Sequence, residues 1–224
     1  MKRFFYLFVT LLVMSCTSSK NAPDFIKNTE GRYFFNSDET LEIYFEEKEL
    51  KVKWREKDMT PIKVNDSSFY LKEMNEKLVF VSSPEMHIEL APKREHDGEK
   101  FVFEKLRKGQ KTPSEYLVNE EYGKALEGYM AIKKKDSLDP TIRERTLNSL
   151  GYSKVRDNKF EEAVEIFKIN VALYPHKSNP YDSLGEAYWL MKDTANAVVS
   201  YKKSLSINPE NNNARRFLKR HKFE

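Results

Sequence analysis

A pattern of residue types in the C-terminal half returns after 34 positions, and this spacing constrains the fold more than any other feature of the sequence. When Pro175 is aligned with Pro209, four pairs of similar residues coincide. The pairs are Leu150 and Leu184, Gly151 and Gly185, Ala163 and Ala197, and Phe167 and Tyr201. A repeat of this length is one supersecondary unit that buries its apolar face only by stacking on its neighbours. The spacing therefore predicts an array of helix pairs.

The repeated positions resemble the tetratricopeptide repeat, a helix–turn–helix unit with the pattern W-x2-L-G-x2-Y, then A-x3-F, then P. The second copy departs from this pattern at two positions, the first and the sixth, and both keep an aromatic residue. Its matching positions are Tyr181, Leu184, Gly185, Tyr188, Ala197, Tyr201 and Pro209. The first copy has Leu147 in place of the Trp and Lys154 in place of the Tyr. In such a unit the small residues let paired helices approach closely, and the proline ends the preceding helix.

A helical domain is predicted for residues 108–224. It begins with a linker near 108–113 that contains Gly109 and Pro113. The stretch EEYGKALEGYMAIKKKD gives a degenerate first unit with Tyr122, Ala125 and Tyr129 at the repeat offsets. The stretch NNNARRFLKRHKFE predicts a basic amphipathic helix that caps the array. We expect repeats at about 113–143, 144–177 and 178–211, followed by the cap at 212–224.

Apolar residues alternate with polar ones between about residues 31 and 107, which is the period of half-buried β-strands. Polar clusters such as EEKE and KREHDGE separate about eight short strands. Closing such a meander into a barrel removes its exposed edges, and Pro61 would then lie at an edge or a bulge. The side chains expected inside are bulky: Phe45, Trp54, Phe69, Phe80, Phe101 and Phe103. The predicted fold class is α+β in two domains, with an antiparallel β-meander or small barrel at 31–107 before the helical array.

Three short motifs lie within this β region: Gly-x-Tyr at Gly31, Asp-x-x-Phe at Asp66, and Phe-x-Phe-x-Lys-Leu at Phe101. Together they resemble a small lipocalin-like β domain. In Bacteroidota that domain often follows the catalytic domain of β-lactamase-like serine hydrolases. Because the repeats account for the residues after 107, the resemblance implies the fold of the β region and not the hydrolase.

The N-terminus reads MKRFFYLFVTLLVMSC, with Lys2 and Arg3 before an apolar run that ends at Met14. The run is shorter than the roughly 20 residues that span a bilayer and fits a signal peptide. The following Ser-Cys resembles the lipobox of bacterial lipoproteins, which implies cleavage before Cys16 and a diacylglycerol on its thiol. The alternative is an ordinary secretory peptide with a chance cysteine. We expect a signal peptide at 1–15, a lipidated tether at 16–30 and a location in the cell envelope, with the outer membrane favoured.

No catalytic, metal or cofactor pattern is found in the sequence. Ser149 and Ser183 stand beside the packing glycines, and no G-x-S-x-G elbow exists. An S-x-x-K at Ser200 lacks the S-D-N and K-T-G motifs that accompany it in β-lactamases. The four histidines lack metal-ligand spacing, and no glycine-rich phosphate loop occurs. The net charge of +4 also gives no sign of a nucleic-acid partner. We therefore expect no enzyme, cofactor, metal or nucleic acid.

The leading functional hypothesis is a non-catalytic, lipid-anchored adaptor that binds a protein or peptide through its repeats. The alternative is a lipid-anchored protein that binds an apolar small molecule in the β domain. In the tetratricopeptide family the concave face of the leading helices usually binds peptides, and the resemblance carries this role to equivalent positions here. They are Arg145, Asn148, Tyr152, Val155, Arg156, Asn179, Asp182, Glu186, Trp189, Leu190, Arg216 and Arg220. Trp189 is the expected anchor, unless it packs, with Tyr152, Val155 and Leu190, only against adjacent helices.

Overall fold

The computed structural model describes residues 19–223, which divide into two compact units. The first, called here the β unit, comprises residues 19–33 and Leu41–Lys105. The second, the helical unit, comprises Phe34–Thr40 and the residues from Leu106 onward. The predicted signal peptide and Cys16 lie outside the described residues. Among residues 19–223, no helix combines the length and the apolar character needed to cross a membrane.

The β unit begins with helix α1 (Pro23–Thr29) and continues in nine strands within the described residues. The strands are β1 (Gly31–Phe34), β2 (Thr40–Glu46), β3 (Glu49–Trp54), β4 (Lys57–Met59), β5 (Ile62–Lys63), β6 (Ser68–Leu71), β7 (Glu76–Val81), β8 (His87–Leu90) and β9 (Val102–Glu104). A short 3-10 helix, Arg94–His96, precedes β9. The sequence indicated about eight strands, one fewer than the structure contains.

The strands form two antiparallel sheets in sequence order, β1 to β4 in one and β5 to β9 in the other. The ladder breaks between β4 and β5, where Pro61 has no backbone N–H to donate. On the opposite side, a single antiparallel bridge between Tyr33 and Lys105 joins the outer strands. The described strands therefore form the predicted meander. A closed barrel would have continuous ladders at both junctions, but here one junction has a single bridge and the other has a break.

Alternation along the strands places aliphatic residues inside the β unit. Ile43 of β2 lies opposite Val52 of β3, and both are fully buried. Of the six aromatic residues expected inside, Phe69, Phe80 and Phe103 are buried. The prediction for the other three needs correction, because Phe45 and Trp54 are only half-buried and Phe101 is 37% exposed. Phe101 precedes β9 and packs on His96, with their ring centroids 5.1 Å apart.

Helix α1 supplies an aromatic side chain that the sequence analysis did not anticipate, within the range assigned to the tether. The Phe25 ring lies 5.3 Å from Phe80, 5.7 Å from Phe69 and 6.2 Å from Phe45, centroid to centroid. These separations are typical of stacked and edge-to-face aromatic pairs. This set of rings, called here the Phe25 cluster, fills the space between the strands with the protein's own side chains.

Helices make up the helical unit, in three pairs followed by one further helix. They are α2 (Pro113–Val118), α3 (Tyr122–Lys135), α4 (Glu144–Arg156), α5 (Phe160–Leu173), α6 (Ser178–Leu190), α7 (Thr194–Ile207) and α8 (Asn212–Arg220). A Cβ on Gly151 would overlap the Phe167 ring, and one on Gly185 would lie 3.1 Å from Tyr201. The glycines of the leading helices therefore give the aromatic rings of α5 and α7 their space.

One side-chain hydrogen bond recurs in the two complete repeats. Asn170 Nδ2 of α5 donates to the Glu144 carbonyl oxygen at 3.1 Å. Ser204, the equivalent residue of α7, donates its hydroxyl to the Ser178 carbonyl oxygen at 3.0 Å. Both bonds fix the first residue of a leading helix against the trailing helix. Asn170 and Ser204 are fully buried, and these bonds satisfy the Asn170 Nδ2 and the Ser204 hydroxyl, whereas Asn170 Oδ1 accepts no hydrogen bond within the described residues.

Candidate functional site

Equivalent positions of helices α4 and α6 meet between the two complete repeats. Tyr152 donates its hydroxyl to Glu186 Oε2 at 2.8 Å, and its ring packs edge-on against Phe167 at 5.3 Å. Burial raises the pKa of Tyr152 well above its ordinary value, so the hydroxyl stays protonated and keeps donating. The bond shows that the Tyr152 side of α4 faces α6.

Asp182, one turn before Glu186 on α6, binds the start of the capping helix. Its Oδ1 accepts from Asn211 Nδ2 at 3.0 Å, and its Oδ2 accepts from Asn213 Nδ2 at 2.8 Å. Burial raises the pKa of the Asp182 carboxyl, and the two amide bonds oppose that shift. Asp182 was predicted to lie in a binding face, but its carboxylate oxygens bind the start of α8 instead. The missed partners were Asn211 and Asn213, for which the only sequence signal is an asparagine run before the cap.

Asn148 occupies in α4 the position that Asp182 occupies in α6, but α6, the helix next to α4, gives it no hydrogen bond of the kind that α8 gives Asp182. It lies one turn before Tyr152, on the same face of the helix. Its Oδ1 is buried and accepts no hydrogen bond within the described residues. An unsatisfied buried acceptor costs about 1–3 kcal/mol. Because the residue as a whole is only half-buried, a bound molecule that reorders the amide can supply the missing donor.

Other predicted positions are engaged between repeats. Asn179 Nδ2 donates to Glu144 Oε1 at 2.8 Å, so its amide bridges α6 to α4. The Trp189 ring packs on Phe217 at 5.0 Å and on His221 at 4.5 Å, centroid to centroid. This placement agrees with the alternative in which Trp189 packs on an adjacent helix.

The two other apolar positions that the sequence analysis named differ from each other. Val155 is partly buried in the core that contains Phe167. Leu190 is 37% exposed. Only the second of these side chains therefore offers an apolar surface to a partner.

Four residues form one continuous stripe along α4, called here the α4 face: Arg145, Asn148, Tyr152 and Arg156. Their spacing of three or four residues puts them on neighbouring turns. Arg145 and Arg156 are exposed at its two ends. On α8, Arg216 and Arg220 are also exposed, and Arg216 Nε donates to the Asn212 carbonyl oxygen at 3.2 Å. The α4 face thus combines an unsatisfied acceptor with two guanidinium groups, which suits a chain with amide N–H donors and carboxylates.

The serines that the sequence analysis weighed as nucleophiles have structural surroundings. Ser183 is buried in α6, two residues before Gly185. Ser149 is exposed on α4. Ser200 is buried and donates to the Asn196 carbonyl oxygen of its own helix at 2.8 Å. Within residues 19–223, no three His, Cys, Asp or Glu side chains are grouped to hold a metal ion.

Comparisons with known proteins identify the repeat. A family model described as "Tetratricopeptide repeat" matches residues 179–211. The chain is 32% identical over 85 residues to the chloroplastic tetratricopeptide repeat domain-containing protein PYG7 of Arabidopsis thaliana. That match covers 38% of this chain and 28% of the Arabidopsis protein, so it spans less than a third of the relative's length.

Solved structures give likenesses of lower identity. The first tetratricopeptide domain of Spaghetti (RPAP3), bound to an HSP90 peptide, is 21% identical, with a TM-score of 0.35, over 50% of this chain and 85% of that one. The Sgt2 tetratricopeptide domain of Aspergillus fumigatus is also 21% identical, with a TM-score of 0.35, over 59% of this chain and 80% of that one.

The family match confirms the predicted fold class, N-terminal antiparallel β sheets followed by an α-helical tetratricopeptide array. No enzymatic domain was found in these comparisons, and tetratricopeptide proteins are typically non-catalytic.

Proposed function

We propose that this protein is a non-catalytic adaptor that binds an extended segment of a partner protein along the α4 face. The observation that carries the proposal is the Asn148 amide, whose buried oxygen accepts no hydrogen bond within the described residues. The equivalent Asp182 is fully engaged by α8, so the first complete repeat retains an unsatisfied position that the second has filled. An unsatisfied buried group in a folded protein requires an explanation, and the one proposed here is a partner that donates the missing hydrogen bond.

Each member of the α4 face has a distinct role in this binding. Asn148 pairs with a backbone amide of the partner, which is independent of the partner's sequence. The hydrogen bond to Glu186 holds the Tyr152 ring in place, and the partner's backbone packs against that ring. Arg145 and Arg156, exposed at the two ends, pair with carboxylates and favour an acidic segment. Trp189 is not assigned to the partner, because its ring is already covered by Phe217 and His221.

The first step of the test is to capture the partner at the proposed face. A photoreactive phenylalanine replaces Ser149, which is exposed beside Asn148, in cells that express the full chain. The matched control carries the same residue at Lys202, which is exposed on the trailing helix α7. We expect a protein that cross-links at position 149 and not at position 202. Equal capture at both positions contradicts binding along the α4 face.

The second step measures the affinity of the purified partner for three variants. Asn148→Ala removes the proposed acceptor and should weaken binding by about 1–2 kcal/mol, roughly 5- to 30-fold. Arg156→Glu should weaken binding and reduce its dependence on salt. Lys202→Glu makes the same change of charge on a trailing helix and should bind as the wild type does. If Asn148→Ala and Arg156→Glu also bind with unchanged affinity, the proposal is wrong.

A lipid anchor at Cys16 is a separate part of the proposed function. Its support is the sequence alone, a basic start, an apolar run and the Ser15–Cys16 junction. The anchor would hold the protein in the bacterial envelope, with the outer membrane as the favoured site. Mass spectrometry of protein extracted from membranes should find cleavage before Cys16 and a diacylglycerol on it. A Cys16→Ser variant should leave the membrane fraction. A free thiol at Cys16, or a different cleavage site, rejects the anchor and leaves the partner proposal intact.

The alternative function, binding of an apolar small molecule within the β unit, has less support. The Phe25 cluster occupies the space that a ligand would need, and Phe69 is only 1% exposed. Absence of catalysis is likewise a proposal. Purified protein should hydrolyse neither a β-lactam nor an ester, and Ser149→Ala and Ser183→Ala should change nothing in that assay. Hydrolysis that disappears in either variant would restore the enzyme hypothesis.

A further inference from the structure

The first described residues are fastened to the β unit. Asn21 donates through its backbone N–H and its Nδ2 to the Lys48 carbonyl oxygen, both at 2.9 Å. Ser19 donates its hydroxyl to Glu49 Oε1 at 2.6 Å. Lys63 Nζ donates to the Lys20 carbonyl oxygen at 3.0 Å. Residues 19–21, which lie in the range predicted as a tether, are thus held between the β2–β3 turn and strand β5.

Two aliphatic side chains are exposed at this point, one on strand β5 and one at the residue that follows the strand. Ile62 is 47% exposed, and Val64, two residues on, is 45% exposed. Residues two apart project from the same side of an extended chain. Ser19 and Ile62 line the same cleft of about 240 Å³, so the exposed pair lies next to the place where the chain leaves toward Cys16. Among the described strands, β5 is also an edge strand, paired with β6 alone.

We propose that Ile62 and Val64 rest in the apolar boundary of the lipid bilayer in which the Cys16 lipid is inserted. The proposal depends on the lipid anchor proposed above. Cys16 is three residues from Ser19, and three residues of chain reach at most about 11 Å. With Ser19 fastened, the anchored β unit cannot move further than this from the bilayer surface. The two aliphatic groups are therefore always close to lipid, where burying apolar area is favourable.

The charges around this edge favour an apolar contact over an electrostatic one. At the adjacent β2–β3 turn, Lys48 has Glu46, Glu47 and Glu49 as neighbours, and on β5 Lys63 pairs with Asp66 at 3.2 Å. Anionic headgroups are attracted by clusters of basic residues. This mixed edge should therefore approach neutral and anionic bilayers equally.

The test uses the full-length lipoprotein in phosphatidylcholine vesicles whose acyl chains carry a bromine quencher. Cys16 is the only cysteine, and its thiol is consumed by the lipid, so Ile62→Cys introduces the only reactive thiol. A fluorophore at position 62 reports contact with the acyl chains. Phe101→Cys is the matched control, because Phe101 is also an exposed apolar residue, 37% exposed. It precedes β9, four strands from β5 in the same sheet, or about 19 Å at the usual strand spacing.

We expect the label at position 62 to be quenched several-fold more than the label at position 101, with no change when anionic lipid is added. Equal or absent quenching at the two positions, in protein that floats with the vesicles, overturns the docking proposal and leaves the lipid anchor standing. If Cys16 is unmodified and the protein does not float, the anchor and the docking proposal are both wrong. A signal at position 62 that needs anionic lipid would show electrostatic binding and contradict the apolar contact.

Discussion

The two units of this protein hold their aromatic residues in place by different means. In the two complete repeats of the helical unit, one large ring faces a glycine of the paired helix, Phe167 at Gly151 and Tyr201 at Gly185. In the β unit, Phe25, Phe69 and Phe80 come from separate elements and contact each other. The first arrangement is local and recurs every repeat, and the second is a single assembly of distant residues. In the helical unit, each helix pair therefore packs through its own glycine and ring, whereas the aromatic packing of the β unit depends on one cluster.

This difference predicts that removing an aromatic ring from the helical unit lowers the free energy of unfolding more than removing one from the β unit. Phe167 is fully buried against Gly151 and Tyr152, so Phe167→Ala should lower the free energy of unfolding by about 3–5 kcal/mol. Because repeats are stabilised by nearest-neighbour contacts, hydrogen exchange should accelerate in α4 to α7 together. Val199→Ala, at a position 66% exposed on α7, is the control and should change stability by less than about 0.5 kcal/mol. Faster exchange confined to α5 would show that the repeats do not behave as one array.

The corresponding deletion in the β unit tests whether α1 belongs to its core. Phe25 is half-buried, so Phe25→Ala should cost about 2 kcal/mol, less than the loss of a fully buried ring. Amide exchange should accelerate in α1 and in strands β6 and β7, which carry Phe69 and Phe80. Lys27→Ala, an exposed change on the same helix, is the control. A stable variant with unchanged exchange would show that α1 is only attached to the surface of the unit.

Sequence predicted the helical unit more completely because its constraints recur. Gly151 and Gly185 identified each other through their common spacing, and the structure gives both the packing role that the spacing implied. The hydrogen bonds of Asn170 and Ser204 were missed, although they are equivalent, because different side chains donate them. The β strands could be predicted from the alternation of apolar and polar residues. The core position of Phe25 could not, because a single aromatic residue after a polar stretch forms no periodic pattern.

The candidate site was predictable only in part. The spacing identified the positions on α4 and α6, yet it could not distinguish those that a neighbouring helix already occupies. Asp182 and Trp189 are engaged by α8, and only the capping helix of this particular chain decides that. Asn148 differs from Asp182 because α6, which faces α4 as α8 faces α6, donates no hydrogen bond to the Asn148 oxygen within the described residues.

A finer test of the repeat packing compares the two glycines. Gly151→Ala gains about 1 kcal/mol of helix propensity. It also pushes a methyl group into the Phe167 ring, and overpacking of this kind lowers the free energy of unfolding by about 1–3 kcal/mol. We expect a net loss of about 1 kcal/mol. Gly185→Ala meets Tyr201 at 3.1 Å, an approach that a small shift relieves, so its net change should be near zero. Thermal unfolding of the two variants measures the difference. Equal losses would mean that both repeats pack with the same tolerance.

The smallest expected effect is a pH dependence that belongs to the β unit. His87 Nδ1 donates to the Glu85 carbonyl oxygen at 2.8 Å, and its Nε2 lies 3.0 Å from Glu89 Oε1. The backbone bond to Glu85 is the largest cause that raises the pKa of His87 above its ordinary value of about 6.5; burial opposes the shift, and Glu89 adds to it. A raised pKa means that the folded state binds the proton more tightly. The resulting stability is fully present below pH of about 6.5 and is lost as the pH rises through the folded-state pKa.

His87→Gln keeps a side-chain amide that can donate to Glu85 or Glu89, but it cannot titrate. Thermal unfolding of the wild type and the variant between pH 6 and 8 (about the range in which histidine changes charge) isolates the contribution of this one residue. The melting temperature of the wild type should fall slightly more across that range than that of His87→Gln. Glu89→Gln should reduce the difference without abolishing it, because the Glu85 carbonyl oxygen, the larger cause of the shift, remains. Parallel profiles for the wild type and His87→Gln would show that the bonds to Glu85 and Glu89 do not favour the charged ring.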